Sequence, residues 1–278
     1  MTRTRVIAAL VMAPFAIAAV LLLPTPWLVA AAAIVFLGGL WEWLRLAGVE
    51  DGVARASLLV ANLLLILALV WASASDPTGS LVLLKLFSVA AVIGWLLVVI
   101  WLRHPAFGAG QDARARVVKM TAGTLVIVPA WCALALIHAG EPHGHRWLLV
   151  ALAVVWAADT GAYFAGRRFG KRKLAPQISP NKTVEGLLGG IALAVLVGVA
   201  AAPLAGASLA QLPLVALVAF LSAAFSVVGD LFESLLKRQA GAKDSGNLIP
   251  GHGGLLDRID GVLAALPVFA VGQIWLGF

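Results

Sequence analysis

Charge and cysteine are both scarce in this chain. Only 12% of its 278 residues are charged, against 62% hydrophobic. A water-soluble domain carries about a quarter charged residues and about half apolar ones. So little polar side chain cannot cover a folded surface against water, which excludes an ordinary soluble enzyme and makes the bilayer the expected solvent. The single cysteine, Cys132, sits in an apolar run, so an intrachain disulfide and a cysteine-based metal site are both excluded. Strand-type alternation is missing too. The apolar runs are long, and helices rather than a barrel satisfy their backbone groups in lipid. The sequence has no Walker A loop and no Rossmann fingerprint, so any nucleotide is held in another way. No soluble domain, coiled coil or internal repeat is visible.

Long apolar segments are what the chain has, with a mean hydropathy of +1.01. A span needs about 20 apolar residues. Nine are read here, near 6–23, 27–46, 56–74, 79–102, 119–139, 147–166, 184–204, 211–235 and 255–276. Turn chemistry marks the breaks, as at Pro24-Thr25-Pro26, Asp76-Pro77-Thr78-Gly79 and Gly140-Glu141-Pro142-His143-Gly144. Arg3 and Arg5 precede the first span. That span is long for a signal-peptide core and lacks a clear cleavage site, so it is expected to be retained. The fold class is therefore all-α: a polytopic integral membrane protein of about nine helices forming one domain. Residues 1–146 are expected to be mainly scaffold, and 147–278 to carry the catalytic motifs.

The net charge of +7 and the pI near 10.2 raise the question of nucleic acid. The basic residues, however, are dispersed through short loops between apolar runs. With nine spans and a cytoplasmic N-terminus, 18 of the 20 Lys and Arg fall on or near the cytoplasmic side, leaving Arg146 and Lys85 opposite. Orientation by positive residues accounts for them, and nucleic acid is not an expected partner.

Acids within spans are costly and mark function. Asp159 lies in the sixth expected span and Asp230 in the eighth, both toward the cytoplasmic half. Asp230, Glu233, Ser234 and Lys237 stand at i, i+3, i+4 and i+7, one helical face offering carboxylates to a divalent cation and an ammonium to a phosphate. Asp159 and Tyr163 are i, i+4, with Arg167 a turn further. The loop after them reads as a basic segment followed by Ser179-Pro180, an N-cap and first-turn pair opening the seventh helix. Lys182 then falls in the first turn of that helix, where anions are attracted. Trp41-Glu42-Trp43, near the end of the second span, reads as interfacial anchoring.

The densest stretch runs from Ser234 to Asp260. Its last 18 residues hold Lys243, Asp244, His252, Asp257, Arg258 and Asp260 among glycines that let backbone approach a ligand. Hard oxygen ligands beside Lys and Arg point to Mg²⁺ with phosphates. His252 is open between a ligand or base and a structural residue of a Gly-rich turn.

At these residues the chain resembles the phosphatidate cytidylyltransferases, or CDP-diacylglycerol synthases. Their signature S-x-x-K-R-x4-K-D-x-G-x2-I-P-x-H-G-G-x2-D-R-x-D is met at every specified position from Ser234 to Asp260. The segment Asp159 to Gly186, with Ile178-Ser179-Pro180-Asn181-Lys182-Thr183, also looks like that family. The resemblance covers about residues 150–278. It implies that the phosphate of phosphatidic acid attacks the α-phosphorus of CTP and that pyrophosphate leaves, at the cytoplasmic face of the cell's inner membrane.

On that basis Asp230 and Asp257 are expected to hold the catalytic Mg²⁺, with room for a second cation as in two-metal sites, and Asp260 and Asp159 to be secondary ligands or orienters. Lys237, Arg238 and Arg258 would neutralise the triphosphate, and Ser234 would hydrogen-bond a phosphate. Ser179, Asn181, Lys182, Lys243, Asp244 and His252 complete the expected substrate-binding set. A homodimer is compatible with this reading. The rivals are a polyprenol kinase, a CDP-alcohol phosphotransferase, whose own motif is absent, and a transporter of an anionic solute. The last is disfavoured because the polar residues cluster on one side rather than at midplane.

Overall fold

The computed structural model describes residues 14–75, 81–110, 112–246 and 253–278. Among these, eight helices are long and apolar enough to cross a membrane. They are α1 (Thr25–Leu46), α2 (Gly52–Ala74), α3 (Val82–Leu102), α4 (Ala113–His138), α5 (Gly144–Phe169), α6 (Val184–Ala201), α7 (Leu212–Gln239) and α8 (Leu256–Leu276). A short 3-10 turn, Ala202–Ala205, prolongs α6. The fold is that of an all-α polytopic membrane protein. These eight helices correspond to eight of the nine expected spans. Residues 6–13 of the first expected span lie outside the described residues, and of the rest 14–22 are helical.

Local chemistry sets the ends. Asp51 caps α2 by accepting from the amides of Val53 (3.1 Å) and Ala54 (3.3 Å). Pro24 precedes α1, and Pro26 occupies its first turn, where a missing N–H costs nothing. Pro129 and Pro267 lie inside α4 and α8, buried among neighbouring helices. Large apolar side chains face outward along the bundle, Trp27, Trp71, Leu196 and Trp275 among them. In water such a surface would drive aggregation, whereas lipid solvates it.

α5 and α6 pack closely because small residues line their contact. A Cβ at Gly161 would come within 2.7 Å of the Gly189 carbonyl, and one at Gly190 within 2.5 Å of the Ala158 carbonyl. That approach lays the start of α6 beside the end of α5, where Asp159, Tyr163 and Arg167 stand.

Two sequence expectations are corrected here. Ser179-Pro180 does not open a helix. Residues Ser179–Thr183 form β2, paired antiparallel with β1 (Lys173–Ala175) in a two-stranded hairpin. Thr183 is the cap of α6, its hydroxyl accepting from the Gly186 amide at 3.1 Å. The backbone of 179–183 finds partners across the hairpin, and Pro180 is tolerated because a two-stranded sheet has only edges. Lys182 therefore projects from a strand.

The second correction concerns Trp41-Glu42-Trp43. Glu42 and Trp43 are 2% exposed. The Trp43 indole N–H donates to the Lys119 carbonyl at 2.8 Å. Its ring meets Phe232 of α7 edge-on at 5.6 Å, and Trp95 and Trp101 of α3 pack on the same ring at 6.1 and 5.0 Å. Protein covers this end of α1, so the group faces the bundle interior rather than a lipid interface. Trp41 alone stays half-buried, beneath the Arg55 guanidinium at 4.3 Å.

Candidate active site

Five elements converge at one end of the bundle: the last turns of α5 and α7, the hairpin strand β2, and the first turns of α6 and α8. Between them lies a cavity of about 600 Å³, within the roughly 300–1,000 Å³ usual for ligand pockets. Its lining includes Asp159, Tyr163 and Arg167 from α5, and Ser179, Asn181 and Lys182 from β2. α7 adds Asp230, Glu233 and Lys237, and α8 adds Asp257 and Asp260.

The helical spacing read in α7 places Asp230, Glu233 and Lys237 on this wall. Asp230 forms an ion pair with Lys182 and lies 3.5 Å from the Ser234 hydroxyl. Lys237 reaches two acids from one ammonium, Glu233 at 2.6 Å and Asp257 at 2.6 Å. The other oxygen of Asp257 accepts from the Ser245 amide (3.0 Å), the Ser245 hydroxyl (2.9 Å) and the Gly254 amide (2.8 Å). Both Asp257 oxygens thus have donors from the protein. Asp260 accepts from the Gly261 amide at 2.8 Å. Gly229 permits the crossing of α7 and α8 here, since a Cβ at that position would overlap the Asp260 carbonyl.

One carboxylate oxygen each from Asp230, Glu233 and Asp260 lies within 4.8 Å of the other two. Three hard oxygen donors facing a cavity suit a divalent cation such as Mg²⁺, which takes one or two carboxylates and fills its shell with water and phosphate oxygens. The residues fit the ion. Glu233 is the acid that sequence reading placed on the polar face but did not assign. The heptad-like spacing carried the signal. The approach of α8, which brings Asp260 opposite Glu233, is tertiary.

The remaining expected residues are distributed as follows. Arg238 donates to the Ile178 carbonyl at 3.3 Å, tying the hairpin to α7 outside the cavity lining. Lys243 and Asp244 are exposed in the loop after α7, with Asp244 beside Gly253. Arg258 is exposed in the first turn of α8. His252 lies outside the described residues. Sequence reading also missed Ser245, which is fully buried and contacts Asp257.

Comparison with known proteins adds a lineage to this geometry. The model of the Cytidylyltransferase family matches residues 3–274. The chain belongs to this family. It is 41% identical over 271 residues to the phosphatidate cytidylyltransferase of Pseudomonas aeruginosa, an alignment spanning 97% of this chain and 96% of that relative. It is 34% identical to the Haemophilus influenzae phosphatidate cytidylyltransferase, across 97% of this chain and 98% of the relative. The Bacillus subtilis phosphatidate cytidylyltransferase is 46% identical over 127 residues, 46% of this chain and 47% of its own. For this cytidylyltransferase-family chain, similarity therefore extends through the N-terminal helices, where sequence motifs gave no guidance.

Proposed function

We propose that this integral membrane protein transfers the cytidylyl group of CTP to phosphatidic acid, giving CDP-diacylglycerol and pyrophosphate. The observation that carries the proposal is full-length family membership joined to a cavity in which carboxylates and ammonium groups from α5, β2, α7 and α8 converge. A phosphate oxygen of phosphatidic acid forms the new bond to the α-phosphorus of CTP. The bridging bond from that phosphorus to the β-phosphate oxygen breaks, and its electron pair leaves with pyrophosphate. Such transfers require positioning and charge neutralisation more than covalent help. Phosphatidic acid arrives already anionic, so the chain need not supply a strong base.

Asp230, Glu233 and Asp260 would hold Mg²⁺, which when bound would supply positive charge to the phosphates. The rest falls to the chain itself. Lys182 stands on the hairpin wall and Lys237 on the α7 wall, so their ammonium groups face incoming phosphates from two sides. Asp257, held by the Ser245 and Gly254 amides on its other oxygen, fixes the Lys237 ammonium in place. Asn181 and Ser179 offer amide and hydroxyl groups from the strand. Tyr163 is exposed on α5, and its hydroxyl accepts from Arg167 at 3.1 Å. That places a guanidinium at the mouth where a lipid phosphate would arrive with its acyl chains in the bilayer. The abundance of Lys and Arg at this end of the bundle supports a cytoplasmic orientation in the inner membrane.

The test uses purified protein in detergent with labelled CTP and phosphatidic acid. Lipid-extractable cytidine label that requires Mg²⁺ and disappears with EDTA is the expected result. Label that stays aqueous under all conditions overturns the proposal.

A further inference from the structure

The N-terminal half of the chain carries one fully buried acid at the edge of the site, and its contacts lie about two hundred residues away in sequence. Glu42 Oε2 accepts from the Ser245 hydroxyl at 3.0 Å and from the Leu256 amide at 2.8 Å. From the next turn of the same helix, Arg45 donates to the Ser245 carbonyl at 2.6 Å. α1 thus grips Ser245 at both its side chain and its backbone, and Glu42 satisfies a first-turn amide of α8 that no local side chain caps. Ser245 in turn touches Asp257 with its amide and its hydroxyl, and Asp257 holds Lys237.

We infer that Glu42, assisted by Arg45, is a positioning residue that fixes the loop after α7 through Ser245, so that Asp257 presents Lys237 to the cavity. Three further observations support this. Glu42 is 2% exposed, and burying a carboxylate is costly, so the two hydrogen bonds that its Oε2 takes from Ser245 and Leu256 weigh in its placement. The end of α1 is held rigidly by the Trp43–Lys119 hydrogen bond and the Phe232 contact. The loop is also shaped to the acid: a Cβ at Gly246 or at Gly254 would overlap the Glu42 carboxylate. The Ser245 hydroxyl has one proton and two carboxylate neighbours, so loss of Glu42 frees Ser245 to shift relative to Asp257.

This inference rests on the proposed cytidylyl transfer for its kinetic readout, and a second readout does not depend on that activity. Glu42→Gln keeps the side chain's size but exchanges one carboxylate oxygen for an amide NH2 and removes the negative charge that strengthens the hydrogen bonds to Ser245 and Leu256. It is expected to lower kcat roughly tenfold, in the range of about 10–100-fold seen when partners that orient a functional group are lost. KM for CTP should stay within about twofold, and the melting temperature should be close to wild type. Ser245→Ala should behave alike, and the double variant should lose no more than the worse single one, because both act through one contact. Backbone amides at 243–246 should exchange faster in Glu42→Gln, while those of α3 stay unchanged.

Wild-type kcat per folded molecule, multiplied losses in the double variant, or unaltered exchange at 243–246 would each overturn the inference. If Glu42→Gln does not fold, Arg45→Ala carries the same kinetic and exchange expectations. Its side chain is exposed, so folding should survive. A wild-type protein without cytidylyl transfer would instead overturn the functional proposal, leaving the exchange measurement to judge the positioning role.

Discussion

Two sets of carboxylates, one from each half of the chain, meet at the same end of the bundle and are treated in opposite ways. Glu42 of α1 is sealed in protein, its Oε2 occupied by a serine hydroxyl and a helix amide. Asp159, Asp230, Glu233 and Asp260 line a cavity together with Lys182 and Lys237, which pair with Asp230 and Glu233. A buried acid with one oxygen held by two donors fixes the segments that supply them, whereas acids gathered around open space repel one another and bind a cation that enters. Both sets are carboxylates at the same end of the bundle. What separates them is whether the surrounding backbone closes over the carboxylate.

The sharpest way to break this comparison is to neutralise an acid of the open set. Asp230→Asn is expected to reduce kcat by about 10³-fold or more, some 4 kcal/mol of transition-state stabilisation. The protein should still insert and elute as a single species on size exclusion. Activity near wild type would remove Asp230 from the cation-binding group and leave the cavity acids no different in kind from Glu42. Lys182→Met comes next. It removes the ion-pair partner of Asp230 while keeping the stem that packs against the cavity wall. A loss of about 10²-fold in kcat/KM is expected, within the usual reach of a single charge-stabilising group. Titration with CTP and with phosphatidic acid in turn will show which substrate the lysine meets. The smallest effect is expected away from both sets. Trp71 points outward from α2, so Trp71→Ala should change kcat/KM by less than about twofold, and a larger change would mean that this face does more than meet lipid.

The aromatic cluster shows how the N-terminal helices reach the helix that carries the site. Trp43, Trp95 and Trp101 surround Phe232, the residue immediately before Glu233. The side of α7 opposite the cavity is thereby packed by α1 and α3. Motif reading had no access to this, because a tryptophan near a span end satisfies both an interfacial and a core environment, and only the neighbours decide.

Much of the fold was legible. Eight expected spans agree with helices to within six residues at each end, because the need to hydrogen-bond every backbone group in lipid leaves the chain little choice. The alignment of Asp230, Glu233 and Lys237 on one face was legible for a similar reason, since helical periodicity is a local rule. The hairpin was not. Ser179-Pro180 has the local chemistry of a helix start, and only pairing with 173–175 made it a strand. Ser245 and Glu42 lie 203 positions apart, and nothing in either neighbourhood announces the other. The sequence by itself determined which segments are helical, where the chain turns and which residue types can handle phosphate. Tertiary structure alone decided which acids share a cavity, which lysine serves which acid, and that α1 reaches the loop before α8. Those are pairings between distant segments, and they are set by how helices pack rather than by any local preference.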